Sequence, residues 1–288
     1  MAAKSQIKNQ SLPIPKTIIA AARFLQAISP KLAALFAAKL FTTPLKHKIP
    51  KREIHIDKES QQSKLYIPSI KKEIVVYQYG TGIKKILLVH GWSGRGTQLV
   101  KIADELVALG YTTISFDAPA HGKSSGKTTL MPEFIASILA LEKQFGPFEF
   151  AIGHSLGGMS VLNAVKQGLK IKKAVIIGSG DIIQDIIDDF IKKLRLKPQI
   201  GQLLKSHFEA KTQEDMEDYA SHHAAKSVTI PVLIIHDKND EDVPVKAAHN
   251  IQAHIKNSEL MVTEGLGHRK ILGNDKVLHA INNFLHKQ

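Results

Sequence analysis

Apolar and polar residues follow two different periods along most of the chain. From about residue 52 to the end, short apolar runs alternate with longer segments in which apolar residues recur every three or four positions. The short runs predict β-strands, and the longer segments predict amphipathic helices. By this criterion the sequence predicts eight strands, at residues 53–57, 73–79, 85–89, 112–116, 149–152, 173–177, 232–236 and 259–262.

Several predicted strands are apolar almost throughout, as in the ILLV, AVII and VLII runs of the third, sixth and seventh strands. Strands of this kind are typical of parallel sheets that are covered by helices on both faces. Predicted helices lie between the strands, at residues 97–109, 131–145, 156–168, 245–255 and 275–285. The alternation predicts an α/β fold with a doubly wound, mostly parallel, eight-stranded sheet whose first strands pair as an antiparallel edge.

One connection is too long to be a simple crossover. More than fifty residues separate the sixth predicted strand from the seventh, and apolar residues recur at helical spacing over residues 182–194. Long insertions in compact domains are usually functional. We therefore predict a small helical cap at about residues 181–227.

The start of the chain predicts a separate helical arm. Two largely apolar stretches, at residues 18–28 and 31–41, flank Pro30, which cannot continue a helix from the preceding turn. This pattern predicts two short helices. The predicted organisation is thus an arm over residues 1–51, followed by an α/β domain over residues 52–288 that carries the cap.

The positive charge of the chain belongs to the arm. The 288 residues include 39 Lys and Arg against 26 Asp and Glu, but the first 52 residues hold ten basic side chains and no acidic one. The rest of the chain carries a net charge of only +3. A nearly neutral body predicts no nucleic-acid partner. Residues 1–48 are instead a candidate for peripheral contact with an anionic membrane surface.

Composition also limits the chemistry and the location. The chain has no cysteine, which excludes a disulfide framework, a thiol nucleophile and a cysteine-ligated metal. The uncharged stretches of the arm are far shorter than the 18 or more residues that a membrane-spanning helix needs. We therefore expect a cytoplasmic protein, with surface association with a membrane as the alternative.

The strongest chemical motif is GHSLGG at residues 153–158, which contains the pattern G-x-S-x-G. It follows an apolar strand and precedes a helical segment, as a nucleophile elbow requires. Glycines next to Ser155 allow the strand and the helix to approach closely, and the helix N-terminus favours a developing negative charge. A second G-x-S-x-G match at residues 122–126 lies several residues beyond its strand, where no tight strand-to-helix turn is predicted. This context favours Ser155 as the nucleophile.

A nucleophilic serine requires a base and a group that orients the base. His268 follows the last predicted strand on a glycine-containing loop, at the sheet edge where Ser155 also lies. The turn after the seventh strand is rich in carboxylates, and Asp237, Asp240 and Asp242 are all candidates for the orienting acid. Serine, acid and histidine then follow one another in the order found in hydrolases with such an elbow.

Four motifs in this order resemble the α/β-hydrolase superfamily from about residue 52 to the end. They are HGW at residues 90–92, DAPAHG at 117–122, the elbow, and the segment 236–244. The resemblance implies that Asp240, three residues before a Val-Pro pair, is the triad acid. It also implies that the backbone N–H groups of Trp92 and Leu156 form the oxyanion hole. The FTTP segment at residues 41–44 is similar to a subgroup of uncharacterised bacterial α/β hydrolases with N-terminal helices.

The expected activity is that of a serine hydrolase with the triad Ser155, Asp240 and His268. The substrate is predicted to be a small to medium, partly apolar carboxylic ester or thioester, which would be cleaved through an acyl-enzyme intermediate. This chemistry requires no cofactor and no metal. Two alternatives are a non-catalytic ligand-binding or receptor protein with the same fold and a carbon–carbon bond hydrolase with the same triad.

Overall fold

The computed structural model describes residues 14–287, and the predicted eight-stranded sheet is confirmed within them. The strand order is β1-β2-β4-β3-β5-β6-β7-β8. Strand β2 runs antiparallel to its neighbours β1 and β4, and the other adjacent pairs are parallel. The strands are β1 (Gln61–Ile67), β2 (Lys72–Tyr79), β3 (Lys85–Val89), β4 (Thr112–Asp117), β5 (Phe148–His154), β6 (Lys173–Ile177), β7 (Val232–Asp237) and β8 (Ser258–Thr263).

Helices cover both faces of the sheet and divide its core into two layers. One face packs mainly against two helices, α4 (Val100–Ala108) and α12 (Asp275–His286). The other face packs against three, α5 (Met131–Phe145), α6 (Leu156–Lys166) and α10 (Lys246–His254). The central strands are buried on both faces, which explains their continuous apolar runs.

The first strand lies elsewhere than the sequence pattern predicts. Residues 53–57 form no strand, because they belong to a short 3-10 turn followed by helix α3 (Ile54–Glu59). In this helix Ile56 is buried and Ile54 is exposed. The alternating apolar residues that predicted a strand are therefore equally compatible with one helical turn. Strand β1 begins at Gln61 instead and pairs with β2 along its whole length. The predicted antiparallel edge is present, but with a later first strand.

The long connection between β6 and β7 is helical, as expected. It contains α7 (Ile183–Lys193), α8 (Gln199–Thr212), a 3-10 turn at Met216–Tyr219, and α9 (Ser221–Ala225). One side of α7 is buried through Ile183, Ile187 and Ile191. We call this segment the cap.

The arm forms two helices, α1 (Lys16–Ile28) and α2 (Pro30–Phe41), while residues 1–13 of the predicted arm lie outside the described residues. Helix α2 packs on α8 of the cap and buries a face made of four alanines, Ala33, Ala34, Ala37 and Ala38. The ring of Phe41 then lies 5.3 Å from that of Phe190 and 6.0 Å from that of Phe208, centroid to centroid. The arm is thus joined to the cap by close packing.

After α2, the arm is held to the body by backbone hydrogen bonds. The N–H of Leu45 donates to Ser93 Oγ at 3.0 Å, and the Arg95 guanidinium donates to the carbonyl of His47 at 2.7 Å. Both partners lie on the loop that follows β3. Between residues 14 and 287, no helix is both long enough and apolar enough to cross a bilayer.

Candidate active site

Ser155 occupies a sharp turn between β5 and α6. Its backbone has φ 54° and ψ −121°, a conformation that a residue other than glycine rarely adopts. The turn leaves no room for side chains nearby: a Cβ on Gly157 would lie 2.3 Å from the Val89 carbonyl oxygen, and one on Gly153 would lie 2.4 Å from the Gly157 carbonyl oxygen. These contacts explain why glycine flanks the serine, and they place Ser155 at the N-terminus of α6.

His268 and Asp240 meet at the same edge of the sheet. His268 Nδ1 lies 2.7 Å from Asp240 Oδ2, and both side chains are buried. Since Nδ1 is bound to the carboxylate, Nε2 remains as the nitrogen that can accept a proton. Gly178, at the end of β6, makes room for the pair, because a Cβ there would lie 3.2 Å from His268 Nδ1.

The surroundings distinguish Asp240 from the two other candidate acids. Its Oδ1 accepts hydrogen bonds from the N–H groups of Asp242 and Val243, which fix the carboxylate. Asp237 instead accepts hydrogen bonds from Thr263 Oγ1 and from backbone N–H groups, among them that of Leu266. Burial would raise the pKa of Asp237, but these hydrogen bonds outweigh it and hold the pKa below the ordinary value. Asp242 faces Lys193 at 3.7 Å. Of the three, Asp240 is the one hydrogen-bonded to His268.

The loop after β3 lies beside the nucleophile. A Cβ on Gly91 would lie 2.9 Å from Ser155 Cβ, so the backbone passes directly next to the serine. In this loop Gly91 N–H donates to Gln98 Oε1, Ser93 N–H to His121 Nε2, and Gly94 N–H to the Gly91 carbonyl. Those bonds hold the backbone on both sides of Trp92.

The second predicted donor is the N–H of Leu156. It belongs to the first turn of α6, where backbone N–H groups have no acceptor within the helix. Trp92 and Leu156 both line the cavity that contains Ser155. The oxyanion hole itself stays a prediction.

Two buried histidines support this loop in their neutral form. His121 Nε2 accepts from Ser93 N–H, and His90 Nε2 accepts from Ala118 N–H. Burial lowers the pKa of His121 to about 3 and that of His90 to about 4. Protonation of either Nε2 would place an N–H against another N–H, so both histidines act as hydrogen-bond acceptors within the loop structure.

His154 is a part of the site that sequence reasoning missed. It is buried, its ring centroid lies 4.6 Å from that of His268, and its Nε2 donates to the backbone carbonyl of His268 at 2.9 Å. Burial lowers its pKa well below the ordinary value. Its position directly before Ser155 was the available clue, but only the structure shows that this side chain reaches the loop of the histidine base.

The second G-x-S-x-G match is structural. Ser124 is buried, donates its hydroxyl proton to the Asp117 carbonyl, and accepts from the N–H of Val75 at 2.8 Å. Ser125 binds the backbone of Glu73 in a similar way. Both serines tie the loop after β4 to β2, in agreement with the sequence context that disfavoured this match.

A cavity of about 1130 Å³ opens above Ser155. Three parts of the molecule form its walls: the body, the cap and the arm. The body contributes Leu156 and Met159, the cap contributes Ile186 and Phe190, and the arm contributes apolar side chains from Ile14, Ile18, Leu40 and Phe41. The sequence pattern alone does not place the arm at the site, because this depends on how α2 packs on α8.

Sequence comparison identifies two family models along the chain. A model described as "alpha/beta hydrolase fold" matches residues 84–210, and one described as "TAP-like protein" matches residues 207–288. Together the two matches extend from β3 to the C-terminus. Among curated proteins, none matches the chain significantly.

Solved structures share the fold at low sequence identity. An esterase from Exiguobacterium antarcticum is 19% identical with a TM-score of 0.63, and the match covers 78% of this chain and 99% of the esterase. A bromoperoxidase from Bacillus anthracis is 20% identical with a TM-score of 0.61, over 79% of this chain and 100% of that one. A membrane phospholipase A, described as a bacterial virulence factor, is 15% identical with a TM-score of 0.62, over 94% and 96%. Likeness at this level concerns the fold.

Proposed function

Because the chain belongs to the α/β-hydrolase superfamily, we propose that it is a serine hydrolase that cleaves carboxylic esters through an acyl-enzyme intermediate. One observation carries the proposal: His268, which is hydrogen-bonded to Asp240, lines the same cavity as the strained elbow of Ser155. Strained backbone concentrates at functional sites, and here it coincides with a potential base and its orienting acid.

In the proposed reaction, His268 Nε2 accepts the hydroxyl proton of Ser155 while the oxygen attacks the acyl carbon. Asp240 fixes the imidazole tautomer and stabilises the imidazolium that forms. The imidazolium then donates its proton to the leaving oxygen as the bond to the acyl carbon breaks. In the second half of the reaction, His268 accepts a proton from water as the water oxygen attacks the acyl carbon. The imidazolium then returns this proton to Ser155 Oγ as the bond between Oγ and the acyl carbon breaks and the acid is released.

The negative charge that develops on the carbonyl oxygen would be stabilised by the N–H groups of Trp92 and Leu156. The N-terminus of α6 adds a favourable electrostatic contribution at the same place. Loss of one such donor typically lowers turnover by about 10²–10³-fold. The hydrogen bonds around Gly91 and Ser93 would hold the first donor in position before the substrate arrives.

The walls of the cavity favour an uncharged, partly apolar acyl group. Apolar side chains from the body, cap and arm surround Ser155. The carboxylates of Asp185 and Asp189 on α7 also line the cavity, and each is paired with a lysine at 2.7 Å, so neither is an unpaired charge. A neutral carboxylic ester or thioester fits both features, and the esterase and phospholipase among the structural neighbours act on bonds of this class by name.

The proposal is tested by covalent labelling together with a substrate panel. A fluorophosphonate probe should label the wild type at Ser155 and should not label Ser155→Ala, while Ser124→Ala serves as the matched serine control and should still be labelled. A panel of p-nitrophenyl esters and acyl thioesters should show turnover that Ser155→Ala abolishes. A folded wild-type protein that is not labelled and hydrolyses none of these substrates would indicate a non-catalytic ligand-binding protein.

A further inference from the structure

The cavity is larger than a small ester requires. Its volume of about 1130 Å³ exceeds the range of about 300–1,000 Å³ that is typical of sites for drug-sized ligands. The acyl group of a short ester would fill a minor part of this space. The shape of the walls therefore carries information about the length of the substrate.

The arm supplies the apolar wall on one side of the cavity. Ile18 of α1 and Leu40 and Phe41 of α2 line it, and all three are partly buried against the core. Phe41 also contacts Phe190 and Phe208 of the cap, so arm and cap form a continuous apolar surface.

On the premise of the proposed ester hydrolysis, we propose that the space between arm and cap binds a long acyl chain of the substrate. Such a chain would have its carbonyl at Ser155 and would extend along the apolar side chains of α7 and α2. Each methylene group that moves from water into an apolar site raises kcat/KM by up to about four-fold. The preferred substrates are then esters of long-chain carboxylic acids rather than acetates or butyrates.

A variant that fills the far part of the cavity tests this assignment. Ile18→Trp adds bulk to the arm wall, whereas Thr17→Trp makes a comparable change at an exposed site of the same helix. In the wild type, kcat/KM for p-nitrophenyl dodecanoate should exceed that for the butyrate. Ile18→Trp should lower kcat/KM for the dodecanoate more than about ten-fold and leave the butyrate within about two-fold, and Thr17→Trp should leave both unchanged.

Several outcomes would overturn the assignment. A wild-type preference for acetate or butyrate would do so, as would an Ile18→Trp variant that affects all chain lengths equally. Binding of p-nitrophenyl dodecanoate to Ser155→Ala, measured by calorimetry, separates this inference from the proposed function. Suppose that the wild type hydrolyses no ester, that Ser155→Ala binds the dodecanoate, and that adding Ile18→Trp to Ser155→Ala prevents this binding. The site for the acyl chain is then supported, and the proposed hydrolysis is rejected. Absence of both binding and hydrolysis rejects the two together.

The outer side of the arm carries an independent feature. Four large apolar side chains on either side of the junction between α1 and α2 are exposed to solvent: Phe24, Ile28, Leu32 and Leu35, with exposed fractions of 66%, 59%, 44% and 42%. We call these four residues the apolar edge of the arm. Soluble proteins rarely expose several large apolar side chains this close together.

Along the sequence, the charge of the arm has a single sign. Between residues 14 and 52 the chain has eight basic side chains and no acidic one, and Arg23 and Lys31 lie next to members of the edge in sequence. A surface that is apolar and basic at once complements a surface that offers acyl chains beneath anionic head groups. We propose that the apolar edge docks the protein on an anionic phospholipid bilayer.

Vesicle co-sedimentation of the full chain tests the docking proposal. Binding is expected to vesicles of phosphatidylcholine and phosphatidylglycerol in equal parts, and weaker binding to phosphatidylcholine alone. Phe24→Asp combined with Ile28→Asp should reduce binding more than about ten-fold, because it removes apolar contact and adds repulsive charge. The control Ile83→Asp, at a site 97% exposed in the turn between β2 and β3, should bind like the wild type.

Two results would reject membrane docking. One is that the wild type and the double variant sediment with the anionic vesicles to the same extent. The other is a concentration-dependent dimer that the double variant abolishes, with no binding to either vesicle, which would show that a second copy of the chain covers the apolar edge. Circular dichroism and hydrolysis of a dissolved ester would confirm that the variants remain folded.

Discussion

The two G-x-S-x-G segments of this chain have the same pattern and different structures. At residues 153–157 the serine lies at the start of a helix, with positive φ, and faces a cavity. At residues 122–126 the serine is buried and bonded on both sides, to the Asp117 carbonyl and to the N–H of Val75. The first segment leaves its hydroxyl accessible to the cavity, whereas the second uses its hydroxyl to hold two strands.

This difference shows what the pattern itself specifies. The glycines permit a tight chain path in both segments, but the path differs: Gly157 lies against the backbone of β3, and Gly122 lies against the carboxylate of Asp117. The role of each serine follows from the element that comes next. A helix that starts directly after the serine exposes it at the sheet edge, and a loop that folds back on the sheet buries it.

The largest expected contrast concerns the buried carboxylate associated with each segment. Asp240→Asn removes the acceptor that holds His268 in the required tautomer, and we expect kcat to fall by about 10⁴-fold. Asp117→Asn should leave kcat within a few-fold and lower stability by about 1–3 kcal/mol, because Asp117 accepts from Tyr77, Gly96 and Lys123. Steady-state kinetics and urea unfolding measure the two effects. An Asp240→Asn enzyme with more than a tenth of wild-type activity would contradict the assignment.

A second contrast concerns a glycine of each segment. A Cβ at Gly157 would lie 2.3 Å from the Val89 carbonyl oxygen, which is part of the central sheet and has little freedom to move. We expect Gly157→Ala to destabilise the protein by more than about 4 kcal/mol. Gly126→Ala should cost less, about 1–2 kcal/mol, because its φ of 100° is strained for alanine but the nearest atom is 3.6 Å away. Thermal or urea unfolding of both variants measures the loss of stability. Equal losses in Gly157→Ala and Gly126→Ala would show that backbone strain matters more than the steric clash at Gly157.

The serines themselves should separate stability from activity. Ser124→Ala leaves the buried N–H of Val75 without its acceptor, and we expect a loss of about 1–3 kcal/mol in unfolding free energy with unchanged turnover. Ser155→Ala should have the opposite profile, with no turnover and unchanged or slightly higher stability. A stability loss in Ser155→Ala similar to that in Ser124→Ala would mean that the elbow serine has a structural role.

The smallest expected effect is a dependence of stability on pH. His121 and His90 have pKa values of about 3 and about 4 in the folded protein, against an ordinary value near 6.5. The unfolded chain therefore binds protons that the folded chain does not, so stability is complete above about pH 6.5 and falls as the pH decreases toward the folded values. The slope is about 1.4 kcal/mol per pH unit for each histidine.

A substitution that keeps the acceptor and removes the titration isolates this effect. His121→Gln retains an oxygen that can accept from Ser93 N–H, and it should reduce the slope below pH 6.5 by about 1.4 kcal/mol per unit. Urea unfolding at several pH values between 7 and 5 measures it. Burial raises the pKa of Glu53, so this residue makes the protein more stable as the pH falls, which is the opposite direction. Because the wild type and His121→Gln both contain Glu53, its contribution cancels when their slopes are compared. An unchanged slope in the variant would refute the contribution of His121.

Sequence alone predicted the centre of the fold better than its edge. The strands β3 and β6 have the predicted ends, because both faces of each are buried and almost every residue must be apolar. Strand β1 was missed because most of its side chains are exposed, and its position is fixed by backbone pairing with β2. The alternation at residues 53–57 predicted a strand, yet a helical turn buries Ile56 equally well.

The same distinction applies to the site. Ser155 and His268 were predicted from their positions after strands, which follow from the order of elements. The choice of Asp240 among three carboxylates rested on a resemblance, and the hydrogen bond to His268 now supports it. The contribution of the arm to the cavity was not predictable, because it depends on a tertiary contact in which alanines, which carry no distinctive chemistry, face another helix.

Those alanines have a consequence for the conformational entropy of the arm. Ala33, Ala34, Ala37 and Ala38 have no side-chain rotamers to lose, so burying this face of α2 orders only its backbone. This part of the arm is thereby positioned at a small entropic cost, while Lys31 and Lys39 of the same helix stay exposed to solvent. A larger residue at any of the four buried positions would displace α2 and with it the wall of the cavity that Leu40 and Phe41 form.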